Sequence, residues 1–207
     1  MQKVHSRFAA SAVALGLIAG VASATPAAAQ TVVDDWSKLQ MAAAPQVKPV
    51  KIEPQTTALL VLDLLKQSCN NERRPRCVAT IPQVAKLIAD ARAHNVAVVY
   101  SITTSTKAED ILPPVAPKAG EPMVASNADK FVGTDLEKIL KDKGIKTVIV
   151  TGTTAEGAVL YTASGAAFRG MNVIVPLEGS TAGSEFAEAV TAWVLTNAPA
   201  VDRKSTL

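Results

Sequence analysis

Residues Thr147–Arg169 read T-V-I-V-T-G-T-T-A-E-G-A-V-L-Y-T-A-S-G-A-A-F-R, and this stretch decides the fold. Val148 to Val150 is a β-branched run of the kind that forms a buried strand, and Gly152 is expected to end it. Thr153 or Thr154 then offers a hydroxyl as a helix N-cap. Glu156 follows in the first turn, where a carboxylate suits the helix dipole. From Gly157 the apolar residues take helical spacing. The stretch is therefore a strand, a tight turn and a helix whose N-terminus faces the carboxyl end of the strand. Ligands of open α/β sheets collect at that edge. Such a turn also occurs without a ligand in α/β proteins, so shape alone assigns no function.

The flanking segments fit the same architecture. Thr57–Leu64, T-A-L-L-V-L-D-L, is a continuous apolar run interrupted by Asp63, as expected of a strand buried on both faces with an acid at its carboxyl end. Ile81–His94 has apolar residues at helical spacing, and Val96–Ser101 reads as a second buried strand. Ile102–Gly120, with Pro113, Pro114 and Pro117, reads as a long surface loop, a kind of segment that often carries function. A short strand is expected at Pro122–Ala125. Gly133–Lys143 reads as a helix with Thr134 as N-cap, Glu137 completing a capping box and Gly144 as the stop. Met171–Pro176 reads as a strand and Ser184–Thr196 as a helix capped by Ser184. The alternation implies an α/β fold: a mostly parallel sheet with helices on both faces.

The chain has 207 residues, which suits one domain of residues 55–207 behind a leader and an arm. Residues 1–29 have a basic start at Lys3 and Arg7, an apolar stretch from Phe8 to Val21, and the small residues Ala27, Ala28 and Ala29 at the end. That is the pattern of a secretory signal peptide cut after Ala29, too short and too interrupted to span a bilayer. It implies export, to a bacterial periplasm or beyond. Residues 30–54 read as a linker or arm. Without Lys3 and Arg7, 19 basic residues face 18 acidic ones, so the net charge falls from +3 to +1. A near-neutral mature chain argues against nucleic acid as a partner. Arg73, Arg74 and Arg76 cluster between Ser68 and Arg76, but without flanking aromatics this reads as a solvated loop.

The only cysteines are Cys69 and Cys77. In an exported chain a pair this close reads as a disulfide closing the loop N-N-E-R-R-P-R. The alternatives are a metal site, which needs further ligands that two thiolates do not supply, or a nucleophilic cysteine. No residue set calls for a metal or another cofactor.

L-L-V-L-D near Asp63, then F-V-G-T-D-L-E-K-I-L, then T-V-I-V-T-G-T-T-A-E-G-A-V-L-Y-T-A, in this order and spacing, resemble the isochorismatase-like hydrolase superfamily. The resemblance covers about Thr56–Thr181. It implies a three-layer α/β/α, Rossmann-like fold with a six-stranded parallel sheet, often oligomeric. It also implies a small-molecule site at the carboxyl edge of the sheet, formed here by Thr153, Thr154, Ala155 and Ala158. A non-proline cis peptide near Thr153-Thr154 is expected on the same ground. The family's amidases use an Asp, a Lys and a nucleophilic Cys, which splits one hard step into two easier ones.

Asp63 matches the Asp. The Cys position is Ala158, and the Lys position, about eight residues before the G-T-D-L motif, is Ala125. Lys130 and Lys66 are the lysines close enough in sequence to take that role. Leu65 stands where the family commonly has Gln, and the Asp-x-His pattern of metal-binding nicotinamidases is absent. Attack by a thiolate is thus unavailable at Ala158. The resemblance to true isochorismatases, which protonate a vinyl ether through the Asp, leaves an acid-and-water reaction open. Two functions compete: an exported hydrolase working through Asp63, Lys130 and water, and a silent family member that binds a ligand or partner.

Overall fold

The computed structural model describes residues 31–201 and 205–207, so the leader expected at residues 1–29 lies outside it. The chain divides into a short unit ending at Met41 and a main unit, Ala42–Leu207. The described part of the short unit carries one 3-10 turn, Trp36–Lys38.

The main unit alternates strands and helices. The order is β1 (Thr57–Leu62), α1 (Pro75–Ala93), β2 (Ala97–Ile102), β3 (Met123–Ala125), α2 (Leu136–Asp142), β4 (Thr147–Thr153), α3 (Leu160–Phe168), β5 (Asn172–Ile174), β6 (Ser180–Thr181), α4 (Glu185–Asn197) and β7 (Ser205–Thr206). Six strands run in the order β3-β2-β1-β4-β5-β7, and the two-residue β6 pairs with the end of β4. Every strand pairing is parallel. This is the expected mostly parallel α/β architecture.

Strand alternation builds the layers. In β1, Ala58, Leu60 and Leu62 point to the side packed by Leu136 and Leu140 of α2, Ala163 and Ala166 of α3, and Ala192 and Leu195 of α4. Leu59 and Val61 point to the other side, against Val84 and Ile88 of α1. All six residues of β1 are buried, which for each large apolar side chain is worth roughly 1.5–3 kcal/mol of transfer free energy. A strand buried on both faces has no polar period, which is why T-A-L-L-V-L reads as a continuous apolar run.

The structure corrects several boundaries. β1 stops at Leu62, and Asp63 follows in the left-handed region (φ 52°), which Asp tolerates better than most residues. β4 runs through Gly152 to Thr153 rather than ending there. Gly152 has φ 132°, and a Cβ on it would lie 2.0 Å from the Leu62 carbonyl oxygen. The glycine thus lets β4 continue against β1 instead of breaking it. α1 begins at Pro75, not Ile81. Pro75 fills the first-turn position and the buried Cys77 is bonded to Cys69, so the first turn is anchored from the side. Arg76 therefore belongs to a helix rather than a solvated loop, and its guanidinium pairs with Glu185 and Glu188 of α4.

The capping box at Thr134 and Glu137 does not form. The Thr134 hydroxyl donates to the Lys130 carbonyl and accepts from Leu136 N, while Glu137 pairs with Lys141 and Arg169. Gly144 does stop α2, with φ 67°. Ser184 does cap α4, accepting from Ala187 N at 3.3 Å. β6 and β7 are two-residue strands with no periodicity to reveal them.

Candidate active site

The carboxyl edge of the sheet carries a buried ion pair. Asp63 leaves β1 beside the end of β2, where Leu62 is paired with Ser101. Its side chain is 8% exposed. Oδ1 accepts from Ser101 Oγ at 2.8 Å, and Oδ2 lies 2.7 Å from Lys130 Nζ. Lys130 is completely buried. Its ammonium also donates to the carbonyl oxygens of Ser126 (2.7 Å) and Asn127 (2.5 Å), so all three of its protons are engaged. A buried charge is tolerated only with such pairing.

The loop that presents Lys130 is fastened at several points. Ser126 Oγ donates to the carbonyls of Asp129 and Val132, and Phe131 N donates to Asp129 Oδ1 at 2.9 Å. Lys130 N donates to Thr162 Oγ1 of α3 at 3.1 Å. A Cβ on Gly165 would meet the Asp129 carboxylate at 3.0 Å, so the small residue lets α3 approach this loop. The result is a lysine held by backbone and helix contacts rather than by a strand.

The resemblance places the family's lysine at Ala125. Ala125 ends β3 and is exposed, and the loop after it turns back to bring Lys130 to Asp63. Ser126–Gly133 runs in turns and bends rather than as an extended segment, which lets Lys130 return to the end of β1. Lys66, the other candidate, turns away: its Nζ donates to the Glu109 carbonyl. Burial pushes the Asp63 carboxyl above its usual range, while the Lys130 ammonium and the Ser101 hydroxyl act in the opposite direction without cancelling it.

The turn after β4 holds the remaining candidates. The Thr153-Thr154 peptide is cis, where the resemblance placed it. Ala155–Val159 forms a π-helical turn that leads into α3. Neither threonine caps it. Thr153 Oγ1 donates to the Thr181 carbonyl of β6, and Thr154 Oγ1 lies 2.6 Å from where a Cβ on Gly157 would be. Ala158 is buried and stands four residues before Thr162, the residue that meets Lys130 N. Ala155 instead lines a separate cavity of about 300 Å³, whose other walls do not include Asp63.

Ser101 is the site residue that the sequence reading missed. Its signal was a single polar residue closing the apolar run V-A-V-V-Y-S on the strand next to β1. The predicted disulfide Cys69–Cys77 is present, with Cα atoms 5.3 Å apart. Both cysteines are thereby withdrawn from any nucleophilic role. Among the described residues, no group of three or more His, Cys, Asp or Glu side chains is placed to hold a metal ion. Nor is any described helix long and apolar enough to cross a membrane.

A family model described as the isochorismatase domain matches residues 57–201. A secreted isochorismatase effector of Verticillium dahliae is 28% identical over 141 residues, which cover 62% of this chain and 74% of that protein. An N-carbamoylsarcosine amidase from an Arthrobacter species is 43% identical over 65 residues, 31% of this chain and 25% of the amidase. Among solved structures, an isochorismatase-like hydrolase from Alkaliphilus metalliredigens superposes with a TM-score of 0.64 at 25% identity, over 68% of this chain and 90% of that one.

Proposed function

The chain belongs to the isochorismatase family, and from that premise we propose that it is an exported hydrolase that opens a small molecule through Asp63, Lys130 and water, without a covalent enzyme intermediate. One observation carries the reading: the buried Asp63–Lys130 pair stands on the sheet edge, and Ala158, where the resemblance places the nucleophile, has no thiol. The expected leader, together with a relative named as a secreted effector, supports export.

The chemistry follows from the two charges. Burial favours the protonated carboxyl of Asp63, which suits a general acid. With a vinyl ether as substrate, Asp63 transfers its proton to the terminal carbon of the double bond, and positive charge develops on the ether oxygen and its carbon. Water adds to that carbon, and the adduct collapses to an alcohol and a ketone as the C–O bond breaks. The proton released by water restores Asp63. Lys130 stabilises the carboxylate that exists between the two transfers, and Ser101 holds its other oxygen. No thiol is required at any step.

The competing reading, a silent member that binds without turnover, draws on the complete hydrogen bonding of Lys130, since a fully engaged buried pair also serves as structure. A screen of the mature protein against vinyl ethers, amides and carbamoyl compounds separates the two, with intact-mass analysis during turnover. The proposal expects product without any adduct mass. A covalent acyl-enzyme contradicts it, and silence across all three classes favours the binding-only reading.

A further inference from the structure

Lys130 reaches Asp63 from a loop, and the residue that follows it is gripped by α3. The Phe131 ring belongs to a residue only 5% exposed. A Cβ on Gly165 would lie 3.1 Å from Phe131 Cδ2, so the ring rests on bare helix backbone. One turn further along, the Arg169 guanidinium covers the same ring, with Cζ 4.3 Å from its centroid. Gly165 and Arg169 lie at helical i, i+4 spacing, on one face of the helix end.

The guanidinium is fixed where it lies. Nη1 donates at 2.9 Å to the Gly165 carbonyl, one of the last carbonyls of α3, and Nε donates at 2.8 Å to Glu137 Oε2 of α2. Arg169 thus ties α2 and the end of α3 to the Phe131 ring. The backbone of the loop is held separately, since Thr162 Oγ1 accepts from Lys130 N and donates to the Ala128 carbonyl. Those bonds fix where the loop runs, and the ring contact fixes its rotation about that line. The rotation matters because Lys130 Nζ sits at the end of a flexible four-carbon stem. A hydrogen-bonded contact of 2.7 Å to Asp63 tolerates little displacement of that end.

We propose that Arg169 is a positioning residue for the Asp63–Lys130 pair: by covering Phe131 it sets the turn of the loop that delivers the Lys130 ammonium to the Asp63 carboxylate. This rests on the reading of that pair as the reacting groups. Arg169 acts through Phe131, from a side chain that is 31% exposed. A guanidinium suits the task because it lies flat on a ring while its edge donors serve two further acceptors.

The test follows the Asp63 side-chain carboxyl by carbon-13 NMR during a pH titration of the full mature chain. Wild type is set beside Arg169→Met, Phe131→Leu, the two combined, and Glu137→Gln. The Lys130 ammonium works against the effect of burial on Asp63, so an ammonium that withdraws lets Asp63 bind its proton more tightly. Arg169→Met and Phe131→Leu should each raise the proton affinity of Asp63 by about threefold. The double variant should raise it no further than either alone, because both remove the same contact. Glu137→Gln should lower the melting temperature and leave the Asp63 titration in place, since the Gly165 carbonyl still holds the guanidinium over the ring. A residue that only stabilises the fold moves melting temperatures and not the titration of native Asp63. The proposal is overturned if neither Arg169→Met nor Phe131→Leu shifts that titration. It is equally overturned if their effects add in full, or if Glu137→Gln shifts it as far as Arg169→Met does. The titration needs no substrate, so an unmoved midpoint refutes this inference whatever the turnover screen gives, and a silent screen bears only on the hydrolase reading.

Discussion

Lys130→Met removes the ammonium and keeps most of the stem's volume, so it isolates the charge. Asp63, 6% exposed, then keeps Ser101 as its hydrogen-bond partner and loses its counter-charge. Removing one partner of a buried pair costs about 3–5 kcal/mol. The carbonyls of Ser126 and Asn127 lose a donor as well, which places the expected loss near the middle of that range, about 4 kcal/mol. At about 2–4 °C per kcal/mol for a domain of this size, the melting temperature should fall by roughly 8–16 °C. The sign of the pH dependence follows from Asp63. Without Lys130 its folded-state pKa rises further above the unfolded value. Its contribution to stability is then fully present below the unfolded pKa and is lost as pH rises through the folded one. The deficit should therefore be largest at mildly alkaline pH and shrink in mild acid. Thermal unfolding followed by circular dichroism at both conditions measures this, and Asp63→Asn combined with Lys130→Met should recover part of the loss. A fall of less than about 3 °C at alkaline pH, or one independent of pH, would refute the assignment of Lys130 as a buried, charge-paired ammonium.

Ser101→Ala removes a hydrogen bond that favours ionised Asp63, so the alkaline limb of the pH–rate profile should move to higher pH; a shift the other way contradicts the role given to Ser101. Gly152→Ala places a methyl on the Leu62 carbonyl and should destabilise by several kcal/mol, on the order of 3 or more, measured by urea unfolding. Reduction of Cys69–Cys77, separated by 8 residues, should cost about 2.5 kcal/mol in the chain-entropy model, and thiol titration of unreduced, denatured protein should find no free thiol. Activity should resist iodoacetamide, since both cysteines are oxidised and Ala158 has no thiol.

The layers and strand order follow from signals that the sequence carries openly. Both-face burial turns β1, β2 and β4 into apolar runs, and a parallel sheet with alternating helices follows from their order. Asp63 was legible because an acid at the end of such a run has few structural reasons to be there. Lys130 was legible only as a candidate. Its reach depends on the path of Ser126–Lys130, where side-chain and backbone hydrogen bonds set a fold-back that no periodicity encodes. Gly152 illustrates the opposite error. Glycine reads as a strand breaker, yet here its missing Cβ admits the Leu62 carbonyl and extends the strand. β6 and β7 are too short to show a period, and the start of α1 at Pro75 was hidden because the apolar helical spacing is clear only from Ile81 onward.

The most direct test of the Asp63–Lys130 proposal is the rate of hydrolysis by folded Asp63→Asn beside the wild type, on whichever substrate the screen yields. Asparagine keeps the shape and can still accept from Lys130, but it has no acidic proton to give. The proposal predicts a fall in kcat of about 10²–10⁴-fold, with no recovery when Ala158→Cys is added. Turnover by Asp63→Asn within a few-fold of the wild type would contradict it.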